Sequence, residues 1–414
     1  MTGLALFGTG AAVIASKRHR LGLFAWVLAV PFAIAAEGHV YSPAQLVHWQ
    51  VREAPAATTN VLRQAWALSA AIGLILSSWV LLTWRRRTAS TPSTSHGSAQ
   101  WGSAELLSSA SGVIVGRAHG DLLRLGGEGH ILTVAPTRSG KGVSCVIPNL
   151  LDHPGSALIT DPKGENYAVT SQWRRGCGHD VHALDPFDLV GQLAAYNPID
   201  LVDTNGADAV DDARMLADML VPEGKEAGDQ SFWNEEARGL LTGLILHVAS
   251  NERPEARTLT EMRDLLTQPP DAFSELLNAM SSNESANGLI ARSAARLLQK
   301  ADRERSGVVS TAQSHTHFLD SPLMKRVLAT STFDFAALKK ESTTVYLVLP
   351  TDRIDGYARW LRLMIACGLL AVMRTHGQPK DRVLFLLDEF AHLRRMHPVQ
   401  RDIGLAGGCG FRKF

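Results

Sequence analysis

Two short stretches of this chain carry the side chains best placed to do chemistry. The first, His130–Ser144, reads HILTVAPTRSGKGVS. An apolar run, Ile131–Ala135, leads into Pro136, Thr137, Arg138, Ser139, Gly140, Lys141, Gly142 and Val143, and a helix is expected to follow through Leu150. Small residues let backbone N–H groups wrap phosphate oxygens, a lysine reaches terminal phosphates, and a helix N-terminus adds its positive dipole end. The pattern departs from GxxxxGK[ST] twice. Ala135 stands at the first glycine, and Gly142 stands where a hydroxyl would ligate Mg²⁺. Ser144 lies about 200° further round a helix and is a poor substitute.

The second stretch, Val383–His392, reads VLFLLDEFAH. A buried strand would deliver Asp388 and Glu389 at its C-terminal end, where α/β sheets place ligands. Asp388 would hold Mg²⁺ through water, and Glu389 would orient or deprotonate an attacking water. Taken singly, the two stretches could be a glycine-rich turn and a strand ending in solvated acids. Together and in order, they predict an ATPase-type site. A third run, Ala157–Tyr167, reads ALITDPKGENY. Its Asp161 and Lys163 either approach the γ-phosphate or brace the phosphate loop by an ion pair, and bracing is the plainer alternative.

These groups need a scaffold. Ile131–Ala135, Ala157–Thr160, Val181–Leu184, Val345–Leu349 and Val383–Leu387 are short apolar runs without polar alternation. Such runs suit strands buried on both faces of a parallel sheet. Ala209–Leu220, Trp233–Ala249, Leu259–Leu266, Ala272–Met280 and Leu289–Ala301 instead carry helical periodicity. The expected architecture is an α/β nucleotide-binding domain in two parts, 99–202 and 339–414, interrupted by an all-helical insertion at 203–338.

The chain has 414 residues, enough for two or three domains, and its 45% hydrophobic and 20% charged composition excludes wholesale disorder. Residues 1–87 hold eight Lys/Arg against two Asp/Glu, whereas the remainder holds 33 against 38. A globally basic nucleic-acid surface is therefore excluded beyond residue 87, so any DNA contact must be local. Cys145, Cys177, Cys367 and Cys409 form no metal-ligand spacing and fit reduced thiols. His315 and His317 have no carboxylate or cysteine neighbours, so no metal is expected there. No Ser/His/Asp or Cys/His order points to nucleophilic catalysis.

Residues 1–87 read as a transmembrane region. Ala65–Trp84 is uncharged for twenty residues and is followed by Arg85, Arg86 and Arg87. At about 1.5 Å per residue such a helix crosses a hydrocarbon core of about 30 Å. Helices are expected over about 21–38 and 65–84, with 3–16 a candidate third. The basic flanks place 39–64 outside and the main domain in the cytoplasm. Thr88–Ser98 (TASTPSTSHGS) reads as a flexible linker.

Several blocks now carry a resemblance. His96–Trp101, APTRSGKGVS, IPNLL, ITDPKGENY, Phe232-Trp233, Arg305–Val308, Thr332–Phe335 and LLDEFAHL occur in order. The chain resembles the TraG-type coupling proteins of conjugation and type IV secretion over about residues 96–400. The resemblance implies a RecA-like motor with an all-helical insertion, in a hexameric, multi-pass ATPase of the bacterial inner membrane that uses ATP and Mg²⁺. It also implies partners: single-stranded DNA with bound relaxase, or protein effectors, and the inner-membrane components of the secretion channel. Carried over by residue, the Lys141 loop binds phosphate while Asp388 and Glu389 serve metal and water.

The family continues past its acidic pair with a further buried strand, whereas this chain reads LAGGCGFRKF and stops. A truncated motor, with no strand beside the acidic one, is therefore expected. The alternative function is a catalytically impaired docking protein of the same system; a soluble kinase is disfavoured by the apolar N-terminal runs. Arg292, Arg296 and Lys300 at i, i+4, i+8, with Arg303 next, form either a basic stripe that tracks DNA phosphates or a solvated helix face.

Overall fold

The computed structural model describes residue 79, residues 111–127, 129–136, 139–191, 194–221 and 229–389, residues 393 and 396, and residues 411–413. The expected helices at 3–16, 21–38 and 65–84, the segment 39–64 and the linker 88–98 lie outside these residues, apart from Trp79, which is helical and exposed.

Residues 103–414 form one compact unit. It opens with an antiparallel hairpin, β1 (Val113–Ala118) and β2 (Asp121–Leu125), which the sequence reading did not anticipate. His119 and Gly120 make its turn, both at positive φ (52° and 97°), as a two-residue hairpin of matching twist requires.

After the phosphate loop, a π-turn (Gly142–Val146) runs into α1 (Ile147–Asp152). Then come β3 (Ala157–Asp161), α2 (Glu165–Gly176) and β4 (Asp180–Leu184). The second part holds β5 (Thr343–Val348), the last strands β6 (Val383–Leu386) and β7 (Phe411–Lys413), and a long helix between β5 and β6 that is described below. The sheet order is β4-β5-β3-β6-β7, and every pair in it is parallel. Successive side chains of a strand face opposite sides. Leu158, Val345, Leu347 and Phe385 thus enter the main core, while Ile159, Tyr346, Val348 and Leu384 pack on the other face against Val146, Leu150 and Tyr167.

Four of the five expected strands form within a residue or two. Ile131–Ala135 does not: residues 131–136 take no strand, and Leu132 and Val134 are 82% and 88% exposed. The reason lies in the ladder. The flank of β6 away from β3 is occupied by β7, pairing Val383 with Phe411 and Phe385 with Lys413, so no unpaired edge of β6 remains for the run before the loop. The expectation that nothing lies beside the acidic strand is corrected by the same pairing.

Between the two parts lie α3 (Ala209–Leu220), α4 (Asp229–Ala249), α5 (Leu259–Leu266), α6 (Pro270–Ser281), α7 (Leu289–Leu298), α8 (Asp302–Thr316), α9 (Pro322–Leu328) and the short α10 (Ala337–Lys340). Thr258 caps α5, its hydroxyl accepting the Glu261 N–H at 3.0 Å. The helix expected to reach Ala301 ends at Leu298. Between β5 and β6 runs α11 (Ile354–Arg374). Thr351–Arg374 is long and apolar enough to cross a membrane, but its apolar stretch is 67% buried, and Trp360, Leu363 and Met364 are fully enclosed. It is the core helix joining sheet and insertion.

Arg174 of α2, 2% exposed, sits beneath the end of α1. It donates to the carbonyls of Leu150 (3.4 Å), His153 and Gly155 (2.6 Å), to Thr344 Oγ1 (3.0 Å) and to His179 Nδ1 (3.2 Å). Burial, then the Arg174 charge, push His179 down to about 4; burial likewise lowers His153. A histidine that titrates below its ordinary 6.5 binds its proton more readily when unfolded. Its neutral state therefore supports the fold fully above about pH 6.5, and that support is lost as pH falls towards about 4. Urea midpoints are expected to drop across this window. His179→Asn should flatten the drop, and an unaltered slope would refute the assignment.

Candidate nucleotide site

The loop and the acidic pair meet. Lys141 Nζ pairs with Asp388 Oδ1, across 247 residues of sequence, with the two side chains 32% and 18% exposed. The same oxygen accepts the Glu389 N–H at 2.8 Å, and Thr160 Oγ1 donates to the Asp388 carbonyl at 2.9 Å. Asp388 is thus fixed at both backbone and carboxylate. Thr160 was not singled out from sequence, although a hydroxyl inside the apolar ALITD run was its signal.

Backbone conformation shapes both halves. Gly140 takes φ 86°, and a Cβ there would meet nothing within 4 Å, so it is the dihedral and not space that calls for glycine. Ser139 N–H closes a turn on the Pro136 carbonyl at 3.2 Å. Glu389 takes φ 54°, a left-handed conformation costing a non-glycine residue on the order of 1–3 kcal/mol, of the kind that clusters at functional sites. The π-turn that follows the loop belongs to the same class of irregularity.

Pro136, Ser139, Gly140 and Val143 are exposed; Lys141 and Gly142 are half-buried. Thr137 and Arg138 lie outside the described residues. Ser144 turns its hydroxyl back onto the Gly140 carbonyl at 2.8 Å, as its poor position relative to the missing hydroxyl of Gly142 predicts. Asn149, 2% exposed, clamps the loop helix to the hairpin: it accepts from Ile114 N–H (2.8 Å) and donates to the carbonyls of Ile114 (2.9 Å) and Cys145 (2.7 Å). A lone amide inside IPNLL was the legible sign of that clamp.

Asp161 and Lys163 do something else. Asp161, 1% exposed, accepts the Tyr167 N–H at 2.8 Å and so caps the turn into α2. Burial pushes its carboxyl up against four backbone N–H donors that pull it down. Lys163 is largely exposed and stands 3.9 Å from Glu165. Among the described residues Asp161 makes no ion pair to the loop; it serves its own turn and also lines the cleft beside Asp388 and Glu389.

The basic stripe is corrected as well. Only Arg292 and Arg296 share α7, because the helix ends at Leu298. Arg296 pairs with Glu236; Lys300 lies 3.1 Å from Glu236 and 2.5 Å from Glu304; Arg292 donates to the Asn287 carbonyl at 2.9 Å. Arg303 is exposed on α8. Arg292, Arg296 and Lys300, though not Arg303, line a cavity of about 340 Å³ whose charges are largely matched within the protein. The histidines also have organic partners, His315 with Asn234 Oδ1 (3.0 Å) and His317 with the Ser314 carbonyl (2.8 Å).

A parallel sheet with helices on both faces, a strand-borne acidic pair and a lysine loop facing it fit a P-loop nucleoside-triphosphatase fold. Bacterial conjugative coupling protein TrwB, in its unbound form, superposes with a TM-score of 0.50 at 17% identity, covering 67% of this chain and 60% of that one. The family model for type IV secretory system conjugative DNA transfer matches residues 93–412, and the chain belongs to that family as a TraG-type coupling protein. A conjugal transfer protein TraG of Escherichia coli is 30% identical over 429 residues, which cover 90% of this chain and 66% of the relative. Protein VirD4 of Rhizobium radiobacter is 29% identical, over 81% of this chain and 49% of the relative. The chain thus spans about half of one of these relatives and about two thirds of the other.

Proposed function

We propose that this chain is an ATP-dependent coupling protein of the bacterial inner membrane. It recruits single-stranded DNA–protein or protein substrates and passes them to a type IV secretion channel as a homo-hexamer. Residues 1–87 anchor it, 99–202 and 339–414 form the motor, and 203–338 form the insertion. The observation that carries the ATPase reading is the Lys141–Asp388 pair.

The donor set fits ATP and Mg²⁺. The loop offers a bend at Gly140, exposed backbone and a cation, facing an acid held in place by Thr160. Bound Mg·ATP supplies the phosphoryl group whose transfer to water releases energy. Lys141 exchanges its carboxylate partner for phosphate oxygens and neutralises their charge. Asp388, released on that side, would hold Mg²⁺ through water. Glu389 holds the attacking water and takes its proton. Since Gly142 has no hydroxyl and Ser144 faces Gly140, the chain's metal contact rests on Asp388.

Two substitutions separate these roles. Asp388→Asn should remove the Mg²⁺ dependence of nucleotide binding. Glu389→Gln should keep binding while lowering turnover about 100-fold or more, and transfer of a mobilisable plasmid with it. Titration of a fluorescent ATP analogue with and without Mg²⁺ checks the first, phosphate release the second. Undiminished turnover in Glu389→Gln would remove that residue from the mechanism.

A further inference from the structure

The C-terminal end of α3 is held by arginines from two other helices. A helix leaves its last four carbonyls without intrahelical partners. Here Arg362 of α11 donates Nη2 to the Asp218 carbonyl (3.4 Å) and Nε to that of Met219 (3.2 Å), while Arg359 Nε donates to Leu220 (3.0 Å) and Arg238 Nε to Val221 (3.0 Å). Cations suit this negative end of the helix dipole. Among the described residues, Arg362 alone of the three also reaches past the acidic pair. It is 3% exposed, and its Nη1 donates to the carbonyl of Leu393 at 2.6 Å, five residues beyond Asp388. Leu393, itself 1% exposed, lines the cleft beside Asp388 and Glu389.

We propose that Arg362 is a positioning residue that ties the Leu393 backbone to α3, so that the state of the nucleotide site is transmitted to the helical insertion. One planar guanidinium spans the two segments, which a lysine ammonium, a single point on a flexible stem, does not do. Displacement of the Leu393 backbone is therefore felt at the α3 terminus through a shared donor. The same helix makes α3 a receiver for the insertion: Asp211 and Arg214 of α3 line the 340 Å³ cavity between α3, α4 and α7. Coupling between the sites runs in both directions, as linkage demands.

The inference rests on nucleotide binding at the Lys141 loop, and the test keeps the two apart. Binding of a fluorescent ATP analogue is measured for the full chain, for Arg362→Lys and for Arg359→Lys, and amide hydrogen exchange is followed with and without Mg·ADPNP. In the parent and in Arg359→Lys, nucleotide should change exchange of the α3 C-terminal amides about five-fold or more. In Arg362→Lys, binding should persist within about three-fold while the α3 response disappears. Arg359→Lys, which loses a hold on α3 but none on Leu393, controls for general loosening. If the parent binds nucleotide and α3 does not respond, or Arg362→Lys responds like the parent, the coupling is refuted. If the parent binds no nucleotide, the functional reading falls first and the coupling with it.

Discussion

Lys141→Ala is expected to weaken ATP binding by about 100-fold, or about 2.7 kcal/mol, with little effect on the fold. Lys141 is half-exposed, and its partner Asp388 retains the Glu389 N–H and, through its carbonyl, Thr160. Removing the ammonium leaves one partly solvated carboxylate, a modest loss at such exposure. The phosphate tail loses the only cation of the described loop, which is a large loss. Thermal unfolding should shift by a few degrees at most while the binding isotherm collapses. Lys141→Arg should not rescue: it keeps the charge but brings a broad planar head into a bend built for a point cation. Near-normal affinity in either variant would show that the phosphates sit elsewhere.

The largest expected loss of stability is at Arg174. Arg174→Met keeps the volume and removes donors from the carbonyls of Leu150, His153 and Gly155 together. Each buried acceptor left unpaired costs about 1–3 kcal/mol, so about 3 kcal/mol or more is expected in denaturant titrations. That is a large share of a typical total of about 5–15 kcal/mol. Removing a buried charge, whose guanidinium burial holds below its usual range, recovers part of the cost. The carbonyls belong to the end of the phosphate-loop helix and the turn after it, so nucleotide affinity should fall with stability. A loss below about 1 kcal/mol would mean that water takes over the bonds.

The elements legible in sequence were those whose burial is uniform. β3, β5 and β6 are buried on both faces, and the helices of the insertion keep their periodicity, with α3 and α5 matching their expected limits. Ile131–Ala135 has the composition of a strand, but strand formation depends on a partner edge, which no local pattern encodes. Arg296 and Lys300 of the basic run share Glu236, an acid some 60 residues away on another helix that local spacing does not encode. Lys141 and Asp388 were found because motif chemistry fixes them. Arg174, Asn149 and Arg362, which hold backbone carbonyls in place, follow no motif.

The left-handed bend at Glu389 sets endurance against usefulness at one peptide unit. Glycine would relax that bend and lose the carboxylate. A library of this gene sorted only for heat resistance would be drawn to it, and if Glu389 handles the attacking water as proposed, the survivors are expected to have lost turnover.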